Sequence, residues 1–134
     1  MNTSLMLVTH PGVGRMLLET AESILKRTVD DIECFEVPLE SDPEERITAA
    51  KALRKKLDHG QGVLLLNDLY GATPFNVARA IEEPQHVLTG LNLCMLLRAI
   101  NYQQHALDEL ANIAREGGQK GLCFAEQPEG KPRD

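Results

Sequence analysis

The sequence contains no tryptophan, and its two Tyr and three Phe bring aromatics to only 4% of 134 residues. Its core must therefore be built from aliphatic side chains. Cysteines are few and widely spaced: Cys34, Cys94 and Cys123 form no C-x-x-C pair, which removes the usual zinc and dithiol signatures. They read as buried free thiols in a reducing compartment. No apolar run approaches the roughly 20 residues that a bilayer span requires. Met1-Asn2-Thr3-Ser4 also lacks the basic and then apolar character of a signal peptide, so a cytoplasmic protein is expected. Nor is there an excess of basic residues. A net charge of −6 argues against a general nucleic-acid binder, which carries a basic face.

What is present is an alternation of strand-like and helix-like segments. Leu5-Met6-Leu7-Val8 is apolar on successive residues, as a parallel strand buried on both faces should be, and Val63-Leu64-Leu65-Leu66 repeats the pattern. A helix is predicted over 13–26, with Val13, Met16, Leu17, Ala21, Ile24 and Leu25 as its apolar positions. A second strand follows over 32–37. Asp42-Pro43 starts the next helix with a capping carboxylate and a proline, and Gly60 stops it. Thr73-Pro74 repeats the cap-then-proline signal for a helix over 74–82. A short strand over 86–89 precedes helices over 92–102 and 105–116, the latter closed by Gly117-Gly118, and 122–124 can form a brief last strand.

The pattern predicts a single-domain open, mostly parallel α/β sheet of order 2-1-3-4, with a short last strand at the edge and helices on both faces. The domain spans residues 1–124, and residues 125–134 form a flexible tail rich in Pro, Gly and charge. In that order the first and third strands are neighbours, and the switch-point crevice lies between the loops that follow them. Those loops carry His10 and Asp68.

A carboxylate on one imidazole nitrogen fixes the tautomer, leaves the other nitrogen free to attack, and stabilises the charge that develops on the ring. The segment Gly71-Ala72-Thr73-Pro74 opens a helix whose first N–H groups lack intrahelical partners, a natural cradle for an anion. A nucleophilic His10 beside an anion cradle at Gly71, Ala72 and Thr73 points to transient phosphorylation of His10. A plain structural histidine at a strand end, and a non-covalent binder of a small anion, are the competing readings. Gly12-x-Gly14 stops short of a dinucleotide fingerprint because position 17 is Leu17. No Walker motif or nucleophile elbow occurs. No metal or cofactor is expected. His59, His86 and His105 show no partner pattern and read as surface or strand-end residues.

Together, Thr9-His10, Asn67-Asp68-Leu69-Tyr70-Gly71-Ala72-Thr73-Pro74-Phe75-Asn76 and Thr89-Gly90-Leu91-Asn92-Leu93-Cys94-Met95-Leu96 resemble the IIA domain of the mannose-family sugar phosphotransferase system, from about residue 4 to residue 124. The resemblance implies a phosphotransferase in which His10 takes a phosphoryl group from the phosphocarrier HPr and passes it to a IIB component. It implies that Asp68 orients the imidazole, that Gly71 to Thr73 hold the phosphate, and that contact with a membrane is only indirect, through a transporter complex. It further implies a homodimer with residues 122–124 as an exchanged strand. Pro11 and Cys94 depart from the family pattern, where a smaller residue and a proline are expected. No IIB domain follows residue 124, so a separate phosphate acceptor, or a stand-alone regulatory role in which the state of His10 controls a partner, is expected.

Overall fold

The computed structural model describes residues 1–126. Four parallel strands form one sheet: β1 (Ser4–Thr9), β2 (Ile32–Glu36), β3 (Val63–Asn67) and β4 (Val87–Thr89), in the order β2-β1-β3-β4. The helices are α1 (Val13–Leu25), α2 (Pro43–Leu57), α3 (Thr73–Ile81), α4 (Leu93–Asn101) and α5 (Leu107–Lys120), and a 3₁₀ turn at Pro84–His86 leads into β4.

Every residue of β1 and β3 is buried, which is why those two segments read as unbroken apolar runs. Their alternate side chains feed two cores. Leu5, Leu7, Leu64 and Leu66 pack with residues of α1, α4 and α5 on one face. Met6, Val8, Val63 and Leu65 pack with residues of α2 and α3 on the other. At the N-terminal end of the sheet the chain is tied by polar groups. Buried Gln103 donates from Nε2 to the carbonyls of Thr3 and Asp30, both at 3.2 Å, and the Ser4 hydroxyl donates to Leu57 O at 2.7 Å.

Three expectations are corrected. Helix α5 runs through Gly117-Gly118 instead of stopping there. A Cβ on Gly117 would lie 2.5 Å from Arg98 Cβ, and one on Gly118 3.1 Å from Met95 Cβ, so the pair is the close-approach surface of α5 on α4 and not a cap. Residues 122–124 form no strand. The backbone leaves α5 through turn bonds from Gly121 N to Gly118 O and Leu122 N to Gln119 O, and Leu122 is 89% exposed. Finally, α1 seats Leu17, Leu18, Ala21 and Leu25 against the core, while Val13, Met16 and Ile24 face outward. Most of the expected tail, residues 127–134, lies outside the described residues.

Candidate active site

His10 follows the last residue of β1 and Asp68 the last residue of β3. Because β1 and β3 pair directly, with Val8 opposite Asn67, the two side chains meet at the C-terminal edge of the sheet, where open α/β folds place their ligands. Asp68 Oδ2 lies 2.9 Å from His10 Nδ1 and also accepts the His10 backbone N–H at 3.1 Å. An ionised carboxylate can only accept, so this contact favours the tautomer with the proton on Nδ1. The lone pair of the neutral ring is then on Nε2. The imidazole remains about a quarter exposed and Asp68 is more deeply set.

Both glycines beside this pair have a left-handed backbone, Gly12 at φ +85° and Gly71 at φ +82°, and a Cβ on either would meet nothing within 4 Å. They keep the mouth of the crevice open. The two helix starts behind them differ. At α1, Gly14 N donates to Thr9 Oγ1 at 3.0 Å and Val13 N to His10 O at 3.2 Å, so the first donors are consumed locally. At α3, the first bond into the helix is Asn76 N to Ala72 O, which leaves the N–H groups of Thr73 and Phe75 unused by the helix itself. The N-cap of α3 is Ala72, with no side-chain capping bond; Thr73 is the first helical residue and does not cap. The Ala72 N–H turns back to Leu69 O over a long 3.4 Å. Of the two helix starts, α3 therefore offers the better anion cradle.

Two residues beyond those singled out from the sequence shape the site. Thr9 Oγ1 accepts from Gly14 N and donates to His10 O at 2.8 Å, so it fixes the start of α1 and the backbone of His10 together. A Cβ on Gly14 would sit 3.0 Å from that hydroxyl oxygen, a close approach that shows only in the folded chain. Asn67, wholly buried, lies beneath Asp68. The other histidines sit away from this crevice and have carboxylates of their own, most closely His86 Nε2 and Asp108 Oδ1 at 2.7 Å. Among the described residues there is no group of three His, Cys, Asp or Glu that could hold a metal ion, and no helix is long and apolar enough to cross a membrane.

Sheet order and crevice together define a small, doubly wound α/β protein with a carboxylate-paired histidine at its switch point. The chain belongs to the IIA family of the sugar phosphotransferase system: residues 4–114 match the family model described as PTS system fructose IIA component. It is 31% identical over 127 residues to the mannose-specific EIIAB component of Escherichia coli K12, covering 91% of this chain and 39% of that protein. The chain thus spans about two fifths of the length of the curated relatives it matches. The mannose/sorbose-specific IIA subunit from Enterococcus faecalis superposes with a TM-score of 0.82 at 28% identity, over 96% of this chain and 98% of that one. The IIA protein associated with the fucose utilization operon of Streptococcus pneumoniae gives 0.76 at 25% identity, over 92% and 93%. A sigma-54 interaction domain protein from E. faecalis shares the fold alone, at 16% identity with a TM-score of 0.69 over 90% and 93%.

Proposed function

We propose that this protein is a cytoplasmic phosphocarrier that accepts a phosphoryl group from phospho-HPr on His10 Nε2 and passes it to a IIB component. The observation that carries this reading is the 2.9 Å contact between His10 Nδ1 and Asp68 Oδ2, because it leaves Nε2 unprotonated and able to attack. In the forward step the Nε2 lone pair forms a bond to phosphorus in line with the bond that breaks. The donor's leaving nitrogen keeps that bond's electron pair. The imidazole becomes positively charged with Nδ1–H still in place, and the Asp68 carboxylate offsets that charge.

Gly71, Ala72 and Thr73 hold the phosphoryl oxygens in this proposal. The unused N–H groups at the start of α3, the Thr73 hydroxyl and the open left-handed turn at Gly71 supply donors and space. Return transfer uses the same geometry with donor and acceptor exchanged. The protein works as a homodimer in which residues 122–124, which form no strand within a single chain, pair with the sheet edge of the other copy. The exposed Leu122 and the outer edge of β4, left without a strand neighbour among the described residues, fit that arrangement.

Incubation with phosphoenolpyruvate, enzyme I and HPr, followed by intact-mass analysis, tests the proposal. Wild type should gain one acid-labile phosphate and His10→Ala none. Transfer onward to a IIB component would place the protein in transport. Phosphate retained until a regulatory partner is added would favour the stand-alone role. No added mass in folded wild type would overturn phosphorylation by HPr.

A further inference from the structure

Asn67 is a polar residue closing a strand whose preceding residues are Val63, Leu64, Leu65 and Leu66, and it has no exposed surface. An aliphatic side chain would serve the sheet at that place without the cost of burying an amide, so the amide must be satisfied and needs a reason. Its orientation is set by its neighbours. The Val8 carbonyl can only accept, so the group 3.0 Å from it is Nδ2. The opposite end is then Oδ1, which accepts from the Thr89 hydroxyl at 2.7 Å. The backbone carbonyl of Asn67 accepts from Leu91 N at 2.9 Å. One side chain thereby joins β1, β3 and β4 directly below the crevice.

With one Nδ2 proton on Val8, the second faces Asp68 Oδ1 across 3.5 Å. Asp68 Oδ2 is already engaged by both N–H groups of His10. The result is an ordered series in which Thr89 orients Asn67, Asn67 faces one oxygen of Asp68, and the other oxygen faces His10. We infer that Asn67 is a positioning residue for His10: held by Val8 and Thr89, it keeps the Asp68 carboxylate in the rotamer that places the ring proton on Nδ1 and leaves Nε2 free. This inference rests on His10 being the phosphorylated residue. It adds a reason for the buried amide that strand pairing alone does not give, since a purely structural Asn67 would affect stability and leave the ring untouched.

The test reads the ring directly. Long-range ¹H–¹⁵N spectra of the imidazole distinguish the Nδ1–H from the Nε2–H tautomer without any phosphorylation. Wild type should be predominantly Nδ1–H. Asn67→Leu, close in volume, should populate both tautomers and slow phosphoryl transfer from phospho-HPr about tenfold, the effect of losing one charge-assisted contact in the transition state. A folded Asn67→Leu protein with the wild-type tautomer overturns the inference. Should Asn67→Leu fail to fold, Thr89→Val decides. It releases only Oδ1, from a half-buried edge strand, and should shift the tautomer in the same direction; an unchanged ring overturns the inference. If wild type takes no phosphate from HPr, the carrier reading fails on its own account, and the tautomer spectra still decide the role of Asn67.

Discussion

A single oxygen of Asp68 receives both the backbone N–H and the ring Nδ1 of His10, at 3.1 and 2.9 Å. The carboxylate therefore fixes the loop and the imidazole together, and Nε2 can be aimed only as well as Asp68 is held. Replacing it with asparagine offers the ring a side chain that can also donate, so the wrong tautomer becomes accessible. Asp68→Asn should slow phosphorylation of His10 roughly a hundredfold, within the usual range for losing an acid–base or orienting partner. The thermal midpoint should move by only a few degrees, because asparagine keeps an acceptor for the crevice contacts and no core residue changes. Rapid-quench transfer kinetics and calorimetry on the same sample check both halves; a near-normal rate would remove the orienting role.

In the loop between β3 and α3, directly after Asp68, Tyr70 stands in solvent at 74% exposure. Tyr70 is braced by Phe75, with ring centroids 4.6 Å apart. Aromatic anchors of this kind carry much of the energy of protein docking. Tyr70→Ala should raise KM for phospho-HPr about tenfold with kcat nearly unchanged. A fall in kcat with constant KM would place Tyr70 in the transfer step instead.

Gly117 opposes two rules. Helix propensity says that alanine there should stabilise by up to ~1 kcal/mol, whereas packing says that its Cβ would collide with Arg98 Cβ at 2.5 Å. Overpacking of a close helix contact costs about 1–3 kcal/mol, and it should prevail. Gly117→Ala is expected to lower the urea midpoint; a raised midpoint would mean that α4 gives way easily.

Burial pushes the Cys34 thiol up from its ordinary value of 9.0 to about 11, opposed in part by Arg15 and helped by Glu36, Glu33 and Glu22. The unfolded thiol ionises at lower pH than the folded one. Its contribution to stability is thus intact below pH 9 and is lost as the pH rises from there through about 11. Urea denaturation across that range should show a decline that Cys34→Ala flattens. Where buried thiols are expected from the sequence, Cys123 is exposed and Cys34 and Cys94 are half-buried. With iodoacetamide near neutral pH, Cys123 should be modified first and Cys34, whose thiol is held up, last; early modification of Cys34 would contradict that order.

The His10–Asp68 pair was legible because it depends on few things: two apolar runs long enough to be central strands, and a strand order that makes them adjacent. Asp42 was likewise legible as a cap, and its side chain does accept from Glu44 N at 3.3 Å. What escaped the sequence depends on neighbours distant along the chain. Gly117-Gly118 reads as a stop until Arg98 and Met95 are known to lie against it. Met16 and Ile24 fit a helical apolar face, but the packed stripe is the adjacent one through Leu17, Leu18 and Ala21. Thr73 carries the residue type of a cap, yet the chain turns one residue earlier, at Ala72. Asn67 was visible only as part of a motif, since its partners Val8 and Thr89 come from other strands.

The buried Gln103 clamp at the far end of the sheet holds part of the fold at a distance from the crevice. Gln103, Thr3 and Ser4 secure the N-terminal ends of the strands, while Leu69 and Tyr70 of the crevice loop stand exposed. The exposed side chains of the crevice loops can then change without disturbing that clamp, whereas Asn67 serves both the sheet and the site. A library randomised at Pro11, Met16, Leu69 and Tyr70 would vary partner choice and turnover while nearly all of its members remain foldable.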